Sequence, residues 1–307
     1  MISIITPSYN QADFLEETIR SVLEQDYAEV EYLIVDGAST DGSVDIIRRY
    51  ARDLSWWCAE KDTGQADAIN KGFARAKGEI IAWLNSDDYY LPGTLSTIAE
   101  IFAAHPKIGI VYGDVLSVDG AGRAINVQRF APYRLEDLMA FKIISQPAVF
   151  MRREILEKAG YLDENYHFML DHHLWLRMAQ HAPLFYLPKI LAAARYHENA
   201  KNIAQAKNFG VDTFRILEWV KSQPALAEKF AKNEAEILAG AHNLDAFYLV
   251  EAGKMRDGLS AYWRAFRYNP RTALKSRKRI AYALLSLLGL ARVKEIYLKR
   301  RRQTLNR

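Results

Sequence analysis

Leu33-Ile34-Val35-Asp36-Gly37-Ala38-Ser39-Thr40-Asp41-Gly42-Ser43 is the stretch on which the fold turns. An apolar run, Val30–Val35, stops at Asp36-Gly37. A polar turn follows, and Ser43–Arg52 has helical spacing with Val44, Ile46 and Ile47 inward. The same grammar runs on both sides of it. Ile2–Pro7 reads as a strand, and Asp13–Gln25 carries Phe14, Leu15, Thr18, Ile19, Val22 and Leu23 on one helical face. Downstream, Leu54–Ala59 reads as a third strand and Gln65–Ala76 as a helix with Gly78 in its C-cap region. Glu79–Leu84 is a fourth strand, Pro92 opens a helix to about Ala104, and Ile108–Tyr112 is a fifth strand. Strands alternating with helices predict an α/β fold with a parallel-rich sheet covered on both faces.

From Asp114 to about His197 the pattern is mixed. Strands Ala148–Met151 and Ile190–Tyr196 alternate with helices Arg153–Ala159 and Asp171–Gln180. Beyond Asn199 helical spacing alone is found. This predicts an α/β domain over residues 1–200 and an all-helical region over residues 201–307. Within the latter, Tyr248–Pro270 reads as a helical hairpin turning at Gly253. One such unit is too few for a repeat array.

Composition narrows the function classes. Half of the 307 residues are hydrophobic and a quarter charged, which is ordinary globular usage. The single cysteine, Cys58, excludes an internal disulfide and any multi-cysteine metal site. No run reaches the roughly 18–20 apolar residues of a spanning helix, and Met1–Ile5 lacks the basic start of a signal peptide. A cytoplasmic protein is expected. The net charge of +4 conceals an asymmetry. Residues 264–307 hold 14 Lys/Arg against Glu295 alone, whereas the preceding 263 residues hold 27 bases and 36 acids.

In open α/β sheets, ligands bind beyond the carboxyl ends of the strands. Here those ends read Thr6-Pro7-Ser8-Tyr9-Asn10, Asp36-Gly37-Ala38-Ser39-Thr40-Asp41-Gly42 and Asn85-Ser86-Asp87-Asp88. Any one alone suits an Asx turn or a helix cap. Three at one sheet edge point to a ligand. No glycine-rich phosphate loop follows the first strand and there is no Walker lysine, which argues against a dinucleotide oxidoreductase and a P-loop ATPase. Asp87 and Asp88 suit a hard cation, Mg²⁺ or Mn²⁺, that completes its shell with substrate phosphates. Trp56-Trp57 reads as core. His172 and His173, being adjacent, do not share a helix face and read as packed or solvated side chains.

The order and spacing of these segments resemble family 2 glycosyltransferases of GT-A fold. The resemblance runs from residue 1 to about 200. It rests on Ile4–Asn10, Leu33–Ser43, Glu60-Lys61-Asp62-Thr63-Gly64 with Asp67–Gly72, and Trp83–Asp88. Asp171 ahead of Leu174-Trp175-Leu176-Arg177, and Arg195-Tyr196-His197, complete it. The resemblance implies a Rossmann-like mixed sheet with helices on both faces, and transfer of a sugar from a nucleotide sugar with inversion. A UDP-sugar is the expected donor, and a saccharide or lipid-linked hydroxyl in polysaccharide or glycolipid synthesis the expected acceptor. Thr6, Pro7, Tyr9 and Asn10 would line the nucleotide pocket, with Asp36 on the base edge and Asp62 and Gly64 nearby. Asn85 and Ser86 would approach the ribose. Asp87, Asp88 and His197 would hold Mg²⁺ or Mn²⁺ at the diphosphate. Asp171 falls at the place of the catalytic base, although Leu170 stands where the family commonly has an acid. Asn85 likewise replaces the first acid of the family's DXD motif. A non-catalytic nucleotide-sugar-binding scaffold is the alternative, disfavoured by the retention of both Asp87 and Asp171. A sugar nucleotidyltransferase would carry a glycine- and arginine-rich first loop, which Thr6–Asn10 is not.

The basic C-terminus is expected to contact an anionic membrane at the inner face of the cell membrane, rather than nucleic acid. Ile280, Ala283, Leu284, Leu287 and Leu288 form an apolar stripe. Arg277–Arg279 precede it, and Arg292, Lys294 and Lys299–Arg302 follow.

Overall fold

The computed structural model describes residues 1–197, 205 and 208–290. They divide into two compact units. The first comprises Met1–Gly122, Asn126–Arg134 and Ile144–Arg195; the second comprises Arg123–Ile125, Leu135–Ile143 and the chain from Tyr196 onward. The boundary expected near residue 200 and the cations from Arg292 onward lie outside the described residues.

In the first unit, strands β1 (Ile2–Ser8), β2 (Val30–Asp36), β3 (Trp56–Ala59) and β4 (Ile80–Trp83) are separated by helices α1 (Ala12–Leu23), α2 (Ser43–Tyr50) and α3 (Gln65–Phe73). β1 pairs in parallel with β2 (Ile4 opposite Tyr32) and β4 (Ile4 opposite Ala82), and β2 in parallel with β3. Every residue of β1 is buried, as a central strand covered on both faces requires. On α1, Leu15, Thr18, Ile19 and Val22 are buried at helical spacing, which leaves the charged residues outside.

The rest of the sheet departs from the parallel pattern. Strand β5 (Tyr89–Tyr90) is followed by α4 (Thr94–Ala104), β6 (Ile110–Asp119) and β7 (Ala124–Gln128). After α5 (Leu135–Met139) come β8 (Val149–Arg152), α6 (Arg153–Ala159), α7 (Leu170–Met178) and β9 (Leu184–Tyr196). Among the described residues the sheet has nine strands in the order β3-β2-β1-β4-β8-β6-β9-β5, with β7 paired to β6. The β4–β8, β6–β8 and β5–β9 pairs are antiparallel. The sheet is therefore mixed, as the GT-A resemblance implied.

Two local expectations are corrected. α3 ends at Phe73, so Gly78 is not its cap. A Cβ at Gly78 would lie 2.7 Å from the Ser3 amide nitrogen and 2.6 Å from Ser3 Oγ, so the glycine permits a close passage beside β1. α4 begins at Thr94 behind Gly93, which takes the N-cap position with φ +74°, leaving Pro92 outside the helix.

The second unit is helical where its elements lie beyond β9: α8 (Phe209–Ser222), α9 (Ala227–Glu251), α10 (Met255–Tyr268), α11 (Pro270–Leu274) and α12 (Arg277–Leu287). α9 and α10 form the expected hairpin. Gly253 makes its turn at φ +77°, a conformation that an L side chain adopts only with strain. Ala246, Val250, Ala261, Tyr262 and Ala283 form the buried seam. α5 belongs here too, with Glu136 paired to Lys229 of α9.

Candidate active site

The carboxyl ends of β1 and β2 are stitched together by short polar side chains. The Asn10 amide nitrogen donates to Ser39 Oγ (2.8 Å), and Thr40 N donates to Asn10 Oδ1 (2.9 Å). Ala12 N donates to Asp41 Oδ2 (2.8 Å). Asn10 and Ala38 both have positive φ, +51° and +63°. Asparagine tolerates that region; alanine does so at a cost of about 1 kcal/mol or more. The loop is thus held in shape by its hydrogen bonds.

Gly37 is where three segments meet. A Cβ there would lie 2.6 Å from Asp62 Oδ2 and 3.2 Å from the Tyr9 ring. Tyr9 is 64% exposed. Asp62 accepts from the Gly64 amide at 3.0 Å, and burial raises its pKa. Tyr9, Gly37, Asp62 and Gly64 therefore share one place.

Three other residues expected around the nucleotide face inward. Thr6 is fully buried, and its hydroxyl meets Tyr32 Oη at 3.0 Å inside the sheet rather than at the open edge. Pro7 is also buried. Asp36 is fully buried, and its oxygens accept from the Ser39 amide and hydroxyl, each at 2.7 Å.

Beyond β4, Asn85 is the hub of an amide relay. Gln65 Nε2 donates to Asn85 Oδ1 (2.9 Å). Asn85 Nδ2 donates to Gln146 Oε1 (3.1 Å) and Asp88 Oδ2 (3.3 Å), and Gln146 Nε2 donates to the Trp83 carbonyl (2.7 Å). Ser86 is buried. Asp88 is 6% exposed, and its Oδ1 accepts the Arg195 amide at 3.0 Å. Burial first, then the neighbouring Asp87 charge, raises the Asp88 pKa well above the ordinary carboxylate value, against the pull of those donors. Asp87 is the half-buried member of the pair.

Arg195 braces this corner from below. Its guanidinium pairs with Glu17 of α1 and donates to the Asp87 carbonyl (3.0 Å) and the Gly120 carbonyl (3.1 Å). The ring of Phe14 lies 4.9 Å away. The sequence marks Asn85 as a nucleotide contact and Arg195 as part of the family resemblance, but it shows neither the bracing by Arg195 nor the bonds that link Gln65, Asn85 and Gln146. The legible signal for Arg195 was one cation closing the apolar run Leu191-Ala192-Ala193-Ala194, since a buried arginine requires partners.

Asp171 lies in the first turn of α7, half-buried, and accepts the His172 amide at 2.7 Å. The N-cap is Met169, without a side-chain cap bond. The approach to α7 is fixed by Asn70, which exchanges two 2.9 Å bonds with the Leu162 backbone. Arg177 donates to the carbonyls of Ala159, Gly160 and Tyr161. One turn after Asp171, Trp175 stacks on Trp83 of β4 at 5.2 Å. His172 and His173 are both buried, and His173 packs 4.1 Å from Tyr166. His197 directly follows β9 and falls in the second unit.

Residues 3–160 match the model of Glycosyl transferase family 2, over half of the chain. The chain belongs to that family. It is 33% identical over 175 residues to the uncharacterized glycosyltransferase alr2836 of Nostoc, covering 53% of this chain and 54% of that one. It is 31% identical over 185 residues to the O-antigen biosynthesis protein RfbC of Myxococcus xanthus, covering 59% and 14%. The match thus spans about half of one relative and a small part of the other. Among solved structures, S. aureus TarS in complex with UDP-GlcNAc has TM-score 0.62 at 18% identity, covering 90% of this chain and 91% of that one. The mannosyltransferase PcManGT of Pyrobaculum calidifontis, in complex with GDP-Man and Mn²⁺, has TM-score 0.61 at 21% identity, covering 96% and 87%. Both share the fold.

Proposed function

We propose that the chain moves a hexosyl group from a nucleoside diphosphate sugar to an acceptor hydroxyl, with inversion, in polysaccharide or glycolipid synthesis. A UDP-sugar is the first donor to test. The observation that carries this reading is the Trp83–Trp175 stack, which locks the helix of Asp171 to the strand that leads into Asn85–Asp88. The similarity to the O-antigen biosynthesis protein RfbC and the nucleotide sugars bound by TarS and PcManGT support it.

The donor set fits a hard divalent cation. Among the described residues no three His, Cys, Asp or Glu side chains converge. A site that borrows phosphate oxygens needs only one or two carboxylates. Asp87 is the half-buried member of the pair and the proposed ligand, and Asp88 holds the loop through Arg195 and Asn85. A divalent cation bound there offsets the charge that develops on the leaving diphosphate. Tyr9, Asp62 and Gly64 bind the nucleotide. Asp171 accepts the proton of the acceptor hydroxyl as its oxygen attacks C1 of the sugar, and the nucleoside diphosphate departs from the opposite face.

The test is a screen of UDP- and GDP-sugars for binding and hydrolysis, with Mn²⁺ or with chelator. One donor should bind and turn over only with the cation. Full turnover in chelator, or no binding by any nucleotide sugar, overturns the proposal.

A further inference from the structure

Helices α10 and α12 pack through Ala261, Tyr262 and Ala283, with Ile280 beside them. Each leaves large apolar side chains in solvent. On α10, Trp263 is 61% exposed and stacks on the exposed Phe266, ring centroids 5.7 Å apart and planes 10° from parallel. On α12, Leu284 and Leu287 are exposed, and Leu288 and Leu290 follow at 73% and 51%. The stripe expected from the sequence is thus divided. Ile280 and Ala283 serve the interior, whereas Leu284, Leu287 and Leu288 stay outside.

The same stretch of chain is strongly basic. Residues 264–290 hold seven Lys/Arg and no Asp or Glu. Arg279 is committed to Glu251 at 3.0 Å. Arg267, Arg271, Lys275, Arg277 and Lys278 are exposed. No described helix is long and apolar enough to cross a membrane.

We infer that Trp263, Phe266 and the exposed leucines of α12, with the cations among them, dock on an anionic lipid surface and lie in its interfacial plane. Indole and phenyl rings settle at the headgroup level, aliphatic side chains at the acyl boundary, and Lys and Arg at the anionic headgroups. A second copy of the chain fits poorly, because it would set two like-charged faces together. A nucleic acid matches the charge, but the exposed leucines find no counterpart on it. The inference is independent of the sugar-transfer reading.

The full chain is sedimented with vesicles of equimolar phosphatidylcholine and phosphatidylglycerol, and with phosphatidylcholine alone. Binding is expected to the first only, and to weaken as salt rises from roughly 0.1 M to 1 M and shrinks the Debye length about threefold. Trp263→Ser with Phe266→Ser should weaken binding about tenfold or more. Arg267→Gln with Arg271→Gln should weaken it by about fivefold per charge, from ~1 kcal/mol each. All four side chains are exposed, so both variants should remain folded, with thermal unfolding as the control. The inference is overturned by absence of binding at low salt, or by unchanged binding of both variants. Tighter binding to single-stranded DNA than to vesicles, or a dimer lost in the aromatic variant without vesicle binding, overturns it equally.

Discussion

Trp175 lies against Trp83 with ring centroids 5.2 Å apart and planes 27° from parallel, both rings fully buried. Trp83 is two residues before Asn85, and Trp175 is one turn beyond Asp171. Phe73 meets Trp83 in a T-shaped contact, ring centroids 5.8 Å apart. Trp175→Ala should cost about 3–5 kcal/mol in denaturant unfolding, the range for deleting a buried large aromatic. Trp175→Phe should retain most of that stability. A loss below about 1 kcal/mol for alanine would show that the stack does not fix α7.

Asp171→Asn should keep donor affinity and lose transfer by about 10²–10⁴-fold, the usual worth of a general base. Asparagine preserves shape and can still accept the His172 amide bond, but it does not take a proton at neutral pH. Donor binding by calorimetry beside a transfer assay checks this. A rate within about threefold of wild type removes Asp171 from the chemistry.

The two neighbouring acids should separate in their effects. Asp87→Ala should abolish cation-dependent donor turnover and leave the melting temperature close to wild type. Asp88→Ala should lower the melting temperature as well. It strips the Arg195 amide of its acceptor and the Asn85 side chain of one of two, at roughly 1–3 kcal/mol for a donor left unsatisfied in the interior. Thermal unfolding of both variants, with and without donor, distinguishes the roles.

Gly37→Ala should weaken donor binding. Its Cβ would enter within 2.6 Å of the Asp62 carboxylate and displace Asp62 or Tyr9. Overpacking of this kind costs about 1–3 kcal/mol, and tenfold in affinity corresponds to about 1.4 kcal/mol. Donor titration reads the effect, and unchanged affinity would remove this corner from the nucleotide site.

His173 supplies a pH dependence. Burial, assisted by the Arg177 charge, lowers its pKa to about 3 from an ordinary 6.5. Below about pH 6.5 the unfolded chain takes up a proton that the folded chain refuses. Stability is therefore lost as pH falls from 6.5 toward 3, by up to about 1.4 kcal/mol per pH unit from this one group. His173→Phe keeps a ring beside Tyr166 and removes the titration. Unfolding at pH 7.5 and pH 5 should show a smaller pH dependence in the variant, and an equal one would count against the buried neutral imidazole.

The parallel half of the fold was legible because each of its strands is an apolar run closed by a polar turn, as at Val35-Asp36-Gly37. The antiparallel half was not. β5 is two residues long, and its partners, Ala192 and Ala193, lie about a hundred positions away. β6 runs to Asp119, past the expected stop at Tyr112. In the structure Gly113 admits Leu191 (2.6 Å from a Cβ placed there), and Asp114 is buried, accepting from Tyr186 Oη at 2.8 Å. Local composition gives no sign of such distant partners. The site divided in the same way. Its acids were visible as acids, but which of Asp87 and Asp88 faces inward depends on Arg195, which reaches that corner only through sheet pairing.

The connection from β4 to β5 consists of Leu84–Asp88 alone, closed as a turn by the Asp88 amide on the Asn85 carbonyl. In sheet order those strands are four steps apart, about 19 Å across a flat sheet at ~4.8 Å per step. Even a fully extended chain from Trp83 to Tyr89 reaches only about 21 Å, and this one is folded back. The far strand returns instead to α1, where Thr18 Oγ1 donates to the Asp88 carbonyl at 2.7 Å and Tyr90 N to Ser21 Oγ at 3.1 Å. The sheet is an arc, and Asn85-Ser86-Asp87-Asp88 is its chord. A chord has a set length. Surface loops commonly absorb an inserted residue, but here an insertion would open the arc and carry the edge strand away from α1. Geometry thus restricts how many residues the motif contains rather than which residues they are.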